Sequence, residues 1–81
     1  MPKKLKDLKI GEKSIVIGYE KKSESYREKL LSMGLTKGVE IELLKYAPLG
    51  DPVEIMVRGF KLTLRKAEAE ILLLEEGKDA E

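Results

Sequence analysis

Three short pieces decide the fold: Val39-Glu40-Ile41-Glu42-Leu43, then Val53-Glu54-Ile55-Met56-Val57, then Phe60-Lys61-Leu62-Thr63-Leu64. Their apolar residues recur at every second position, the period of a strand whose side chains point alternately to two faces. Between the first two lies Tyr46-Ala47-Pro48-Leu49-Gly50-Asp51-Pro52, whose two prolines and glycine read as a loop. Arg58-Gly59 leaves only two residues between the second and third. Three strands joined by two hairpins, each with one apolar face, make an antiparallel meander. The expected core face is Val39, Ile41, Leu43, Val53, Ile55, Val57, Phe60, Leu62 and Leu64. Glu40, Glu42 and Glu54 are expected on the opposite face.

Upstream, Ser23 to Gly34 reads as a helix. Ser25 and Glu28 have the spacing of a capping box, and Ser23 offers an alternative cap two residues earlier. Tyr26, Leu30 and Met33 fall at i, i+4 and i+7 and are expected to form the buried stripe, with Leu31 beside it. Gly34 suits the left-handed residue that ends a helix. Before this helix, Ser14 to Tyr19 is a short β-branched run with Gly18 inside it, a strand with an expected bulge or bend. Leu5, Leu8 and Ile10 are spaced for one loose helical turn. Downstream, Ile71 to Leu74 fits either a helical stripe with Ala67 or a buried strand, and Glu75 to Glu81 has charges but no apolar anchor.

The 81 residues allow one small domain with a thin core. With no cysteine or histidine, disulfides, zinc fingers and histidine-based catalysis are excluded. Sixteen basic residues against fifteen acidic ones give a net charge of +1, without the basic excess of a general nucleic-acid binder. Arg27, Arg58, Arg65 and the lysines near them would form a basic stripe with Phe60 or Tyr46, but Phe60 alternates with Leu62 and Leu64 and is assigned to the core. The charges are mostly lysine and glutamate, and asparagine and glutamine are missing, a composition expected of a thermophilic source. No apolar stretch approaches the ~20 residues that span a bilayer. The Met-Pro-Lys-Lys start lacks an apolar signal region, so a cytoplasmic location is expected. The serines have no base to activate them and no glycine-rich phosphate cradle follows a strand, so the chain reads as a non-enzyme.

Five short strands and one helix in so few residues favour closure into a small barrel, which removes exposed edges. Four further pieces, in order, carry a family resemblance. They are Leu30-Leu31-Ser32-Met33-Gly34-Leu35-Thr36-Lys37-Gly38, Ala47-Pro48-Leu49-Gly50-Asp51-Pro52, Val57-Arg58-Gly59-Phe60, and Leu62-Thr63-Leu64-Arg65-Lys66-Ala67-Glu68-Ala69. Together with Leu5-Lys6-Asp7-Leu8-Lys9-Ile10-Gly11-Glu12 they resemble the FeoA family, ferrous iron transport protein A. The resemblance implies an all-β fold with small helical content: a five-stranded SH3-like barrel with one helix inserted between the first and second strands. It also implies a short helical turn near Lys66 to Ala69 and Ile71 to Leu74 as the closing strand. Residues 1–75 would be the single domain and 76–81 a charged, disordered tail. The implied role is a cytosolic accessory of the bacterial ferrous iron permease FeoB, whose cytosolic region includes a G-protein domain. The same barrel resembles the C-terminal domain of iron-dependent repressors, and so a metal-responsive regulatory domain is the alternative.

The expected partner-binding residues are Pro48, Leu49, Gly50 and Asp51 in the loop, with Leu31 and Met33 at the helix end. Leu49 has two readings: a lid folded onto the core, or an anchor held out for a partner on a rigid loop. The expected metal ligands are Glu40, Glu42 and Glu54, hard oxygen donors suited to a divalent ion. Lys45 and Lys61 are their expected cross-strand neighbours, the pattern of a solvated charged face. No cofactor is required on this reading, and any divalent metal ion would be held weakly. The partner is the cytosolic part of a FeoB-type permease, with no nucleic acid and no membrane contact except through that partner.

Overall fold

The computed structural model describes residues 2–21, 24–49 and 51–76. A 3-10 turn at Leu5–Asp7 precedes β1 (Lys13–Tyr19), α1 (Glu24–Ser32), β2 (Glu40–Tyr46), β3 (Val53–Val57), β4 (Phe60–Leu64), α2 (Lys66–Ala69) and β5 (Leu72–Glu76). The strands form one antiparallel sheet in the order β4-β3-β2-β1-β5. The meander β2-β3-β4 is therefore as the alternation requires, α1 lies between the first and second strands, and the last apolar run enters the closing strand.

Alternation sets which side chains meet. Val39, Ile41, Leu43, Val53, Ile55, Val57 and Leu64 are buried in one core with Val16, Leu72 and Leu74. Leu5 and Leu8 bury from the N-terminal turn, whereas Ile10 is exposed. The ladder ends at β4 and β5, and at the chain segment joining them Leu64, Ala69, Ile71 and Leu72 are all buried. The outer edge of β5 is partly covered: Lys3 exchanges both backbone hydrogen bonds with Leu74, at 2.7 and 2.8 Å. Glu75 and Glu76 belong to β5, so the sheet extends past the expected boundary, and 77–81 lie outside the described residues.

Gly18 does mark a bulge: the β1–β5 register shifts between Val16 and Gly18. Gly34 takes φ +93° and closes α1. Its amide donates to the Leu31 carbonyl at 3.0 Å and the Leu35 amide to the Leu30 carbonyl at 3.0 Å, the paired bonds of a Schellman motif. Leu30 and Leu35, at the apolar positions of that motif, are fully buried.

Three expectations need correction. Ser25 lies inside α1 rather than capping it, and Ser23 lies outside the described residues. Tyr26 is 39% exposed, so α1 buries through Leu30 with Met33 partly packed against the core. Phe60 is 73% exposed instead of buried. It shares its face with Val57, directly opposite, but it starts an edge strand and has a strand neighbour on one side only.

Candidate functional site

The loop between β2 and β3 is closed at its base by the Ala47 amide donating to the Pro52 carbonyl at 3.3 Å. Pro48 and Asp51 are exposed, and Gly50 lies outside the described residues. Leu49 is 86% exposed, so it is not a lid on the core. Asp51 does more than flank the tip. Its Oδ1 accepts the Lys66 amide at 3.1 Å, satisfying one of the donors that the start of a helix leaves without an intrahelical partner.

Of the two apolar residues expected at the helix end, the structure turns one outward. Leu31 is 39% exposed, while Met33 is half-buried against the core. The loop and the helix are joined through α2. Asp51 holds its first residue, and Glu68 within it meets the Lys29 ammonium of α1 at 2.6 Å. Glu68 is 3% exposed and also accepts the Arg65 amide at 3.0 Å, one half of a capping box at the start of α2.

Burial alone would raise the Glu68 carboxyl, but the Lys29 ammonium and the Arg65 amide outweigh it and hold it below the ordinary glutamate value of 4.5. A carboxylate depressed in the folded state stabilises the fold above its unfolded value. That contribution is lost as pH falls through the depressed one. Glu12 is lowered as well, chiefly by the Lys9 amide it accepts at 2.9 Å. Tyr19 shifts the other way: burial raises its hydroxyl, which donates to the Leu35 carbonyl.

The three carboxylates expected as metal ligands are not brought together. Glu54 lies opposite Lys45 in the β2–β3 ladder, and the Lys61 ammonium stands 3.8 Å from it. Glu42 lies between Lys13 and Met56, and Glu40 opposite Ile15. Among the described residues no group of three acidic side chains is placed to hold a metal ion. The charges make a mixed surface of the kind cross-strand pairing produces.

The Asp51–Lys66 and Glu68–Lys29 links had no signal in the sequence. Their partners are far apart in the chain, and only the folded corner at α2 assembles them. Among the described residues no helix is long and apolar enough to cross a membrane.

The FeoA domain family matches residues 3–76. A FeoA-like protein from Clostridium acetobutylicum is 35% identical and superposes with a TM-score of 0.83, covering 99% of this chain and 92% of its own. FeoA of Stenotrophomonas maltophilia, solved in complex with zinc and described as an SH3 domain protein, is 21% identical with a TM-score of 0.77. It covers 90% of this chain and 89% of its own, and at that identity the likeness speaks to fold alone. A fusion of Fe(2+) transport protein A with the Fe(2+) transporter FeoB, from Porphyromonas gingivalis, is 29% identical over 66 residues. Those residues are 82% of this chain and 8% of the fusion's length. A family match across nearly all the described residues, on a five-stranded antiparallel sheet with an SH3-like arrangement, shows that the chain belongs to the FeoA family.

Proposed function

We propose that this chain is a non-enzymatic accessory of ferrous iron uptake that docks on the cytosolic region of a FeoB-type permease, with the 47–52 loop as its anchor. The carrying observation is Leu49, a large apolar side chain left 86% exposed at the tip of a loop that is tied down on both sides. A held loop loses little conformational freedom on binding, so the burial of its tip is offset by a smaller ordering cost. Leu31, exposed on α1, adds apolar surface in the second expected patch. The relative that joins transport protein A and FeoB in one chain supports this partner, since fusion keeps two units at high effective concentration. The absence of histidine and cysteine from the sequence supports the non-enzymatic reading, and a cytoplasmic location follows from the partner's docking region.

The test is a titration of the isolated cytosolic region of such a permease with this chain and with Leu49→Asp. We expect the variant to bind more than tenfold more weakly, about 1.4 kcal/mol. Its unfolding free energy should change by no more than about 0.5 kcal/mol, because the side chain is outside the core. Equal affinities for the two proteins would remove the loop from the interface.

A further inference from the structure

A half-open cleft of about 510 Å³ lies between α1 and the β1–β5 pair. Its floor is apolar. Gly18 and Leu73 face each other across the ladder just past the bulge; glycine raises no side chain there, and a Cβ in its place would meet Leu73 Cδ1 at 3.9 Å, an ordinary contact. One face of α1 makes the wall: Glu24, Arg27 and Leu31 are spaced i, i+3 and i+7. Lys37 enters from the turn before β2, and Lys21 from the end of β1. The hydroxyl of Tyr19 donates to the Leu35 carbonyl, which fixes the segment that carries Lys37.

Among the described residues, the charges around this cleft do not cancel. Glu20 is engaged with Lys4. That leaves Lys21, Arg27 and Lys37 against the carboxylate of Glu24, and none of these four forms an ion pair among the described residues. In a chain with net charge +1, three cations among the described residues around one apolar floor make a local field that favours an acidic ligand. An arginine fork binds a carboxylate in two parallel hydrogen bonds, and among the described residues Arg27 is the only such fork at this cleft. The volume is in the range of ligand sites, and a half-open cleft suits a segment of chain laid on it better than an enclosed small molecule.

We propose that this cleft binds a short extended peptide of a partner protein, seating an apolar side chain on Leu31 and Leu73 and a carboxylate between Arg27 and Lys37. The site shares Leu31 with the second apolar patch of the docking surface but not the Leu49 anchor, and it stands whether or not that loop docks on a permease.

The probe is an acetylated, amidated Leu-Glu-Leu-Glu peptide, titrated into the isotope-labelled chain and followed by amide chemical shifts. Expected are shifts clustered at Gly18, Arg27, Leu31, Lys37 and Leu73. The double variant Arg27→Glu, Lys37→Glu should bind at least tenfold more weakly with its thermal midpoint unchanged, since both side chains are exposed. Leu31→Ser should weaken binding severalfold with the charges intact. Inorganic phosphate at the same concentration should leave these amides in place. The proposal is overturned if phosphate gives the same shifts, if the peptide shifts centre on the 47–52 loop, or if the double variant binds as the parent does.

Discussion

The two connections that flank β3 differ in length and in why they leave an apolar side chain in water. Arg58 and Gly59 join β3 to β4 in two residues, both at positive φ, +52° and +83°. That is the turn whose twist matches the strands it joins. Phe60 follows immediately, at the end of edge strand β4 that adjoins the turn, and is exposed, whereas Leu64 at the other end of the same strand is buried. The 47–52 connection has chain to spare. No ladder position dictates where Leu49 goes, yet the loop is tied at its base and to α2 while its tip stays out. Exposure at Phe60 goes with its place beside the turn at the end of an edge strand, whereas exposure at Leu49 is a property of the loop itself.

Leucine truncation gives the largest contrast available. Leu64 ends β4 fully buried, and Leu64→Ala should cost about 2–5 kcal/mol through lost burial and a residual cavity. Leu49→Ala removes the same atoms and should move stability by no more than about 0.5 kcal/mol. Urea denaturation with a common slope reads both. Comparable losses would mean that the loop tip is packed, and the distinction between the two connections would collapse.

Gly59→Ala probes the short connection next. Nothing lies within 4 Å of the Cβ it would add, so any cost comes from the backbone at φ +83° alone. That cost should be about 1–2 kcal/mol, the penalty of a left-handed conformation for a residue with a Cβ. A neutral result in the same denaturation series would show that the turn relaxes to another type, and geometry would no longer explain its length.

How much of this was legible in the sequence depends on the distance over which a signal acts. Val39-Glu40-Ile41-Glu42-Leu43 and Val53-Glu54-Ile55-Met56-Val57 announce their faces locally, and both expected core sets are buried. Gly34 likewise announces the end of α1. Phe60 misled because alternation reports which face a residue occupies and not whether a second strand covers it. Tyr26 misled because a helical stripe gives spacing, while depth is set by how α1 sits on the sheet, and Leu30 takes the buried position. Glu40, Glu42 and Glu54 shared a face by pattern, but register placed lysines beside Glu54 and Glu42. The cleft was invisible for a different reason. Arg27, Lys37 and Leu73 come from separate segments, and no local motif connects them.

The smallest expected effect tests whether holding the loop matters for what its tip does. Asp51→Ala removes the acceptor of the Lys66 amide, an exposed hydrogen bond worth about 0.5–1 kcal/mol of stability. The same change unties the loop from α2 without touching Leu49. If a held loop lowers the ordering cost of docking, affinity for the permease's cytosolic region should fall by about 0.5 kcal/mol, a little over twofold. Asp51→Asn keeps an oxygen acceptor in the same place and should restore most of that loss, which separates tethering from charge. The order Leu49→Asp, then Asp51→Ala, then Asp51→Asn in loss of affinity is what an anchored tip requires. An equal loss for the alanine and asparagine variants would assign Asp51 a direct electrostatic contact with the partner, and the tether would then be incidental to docking.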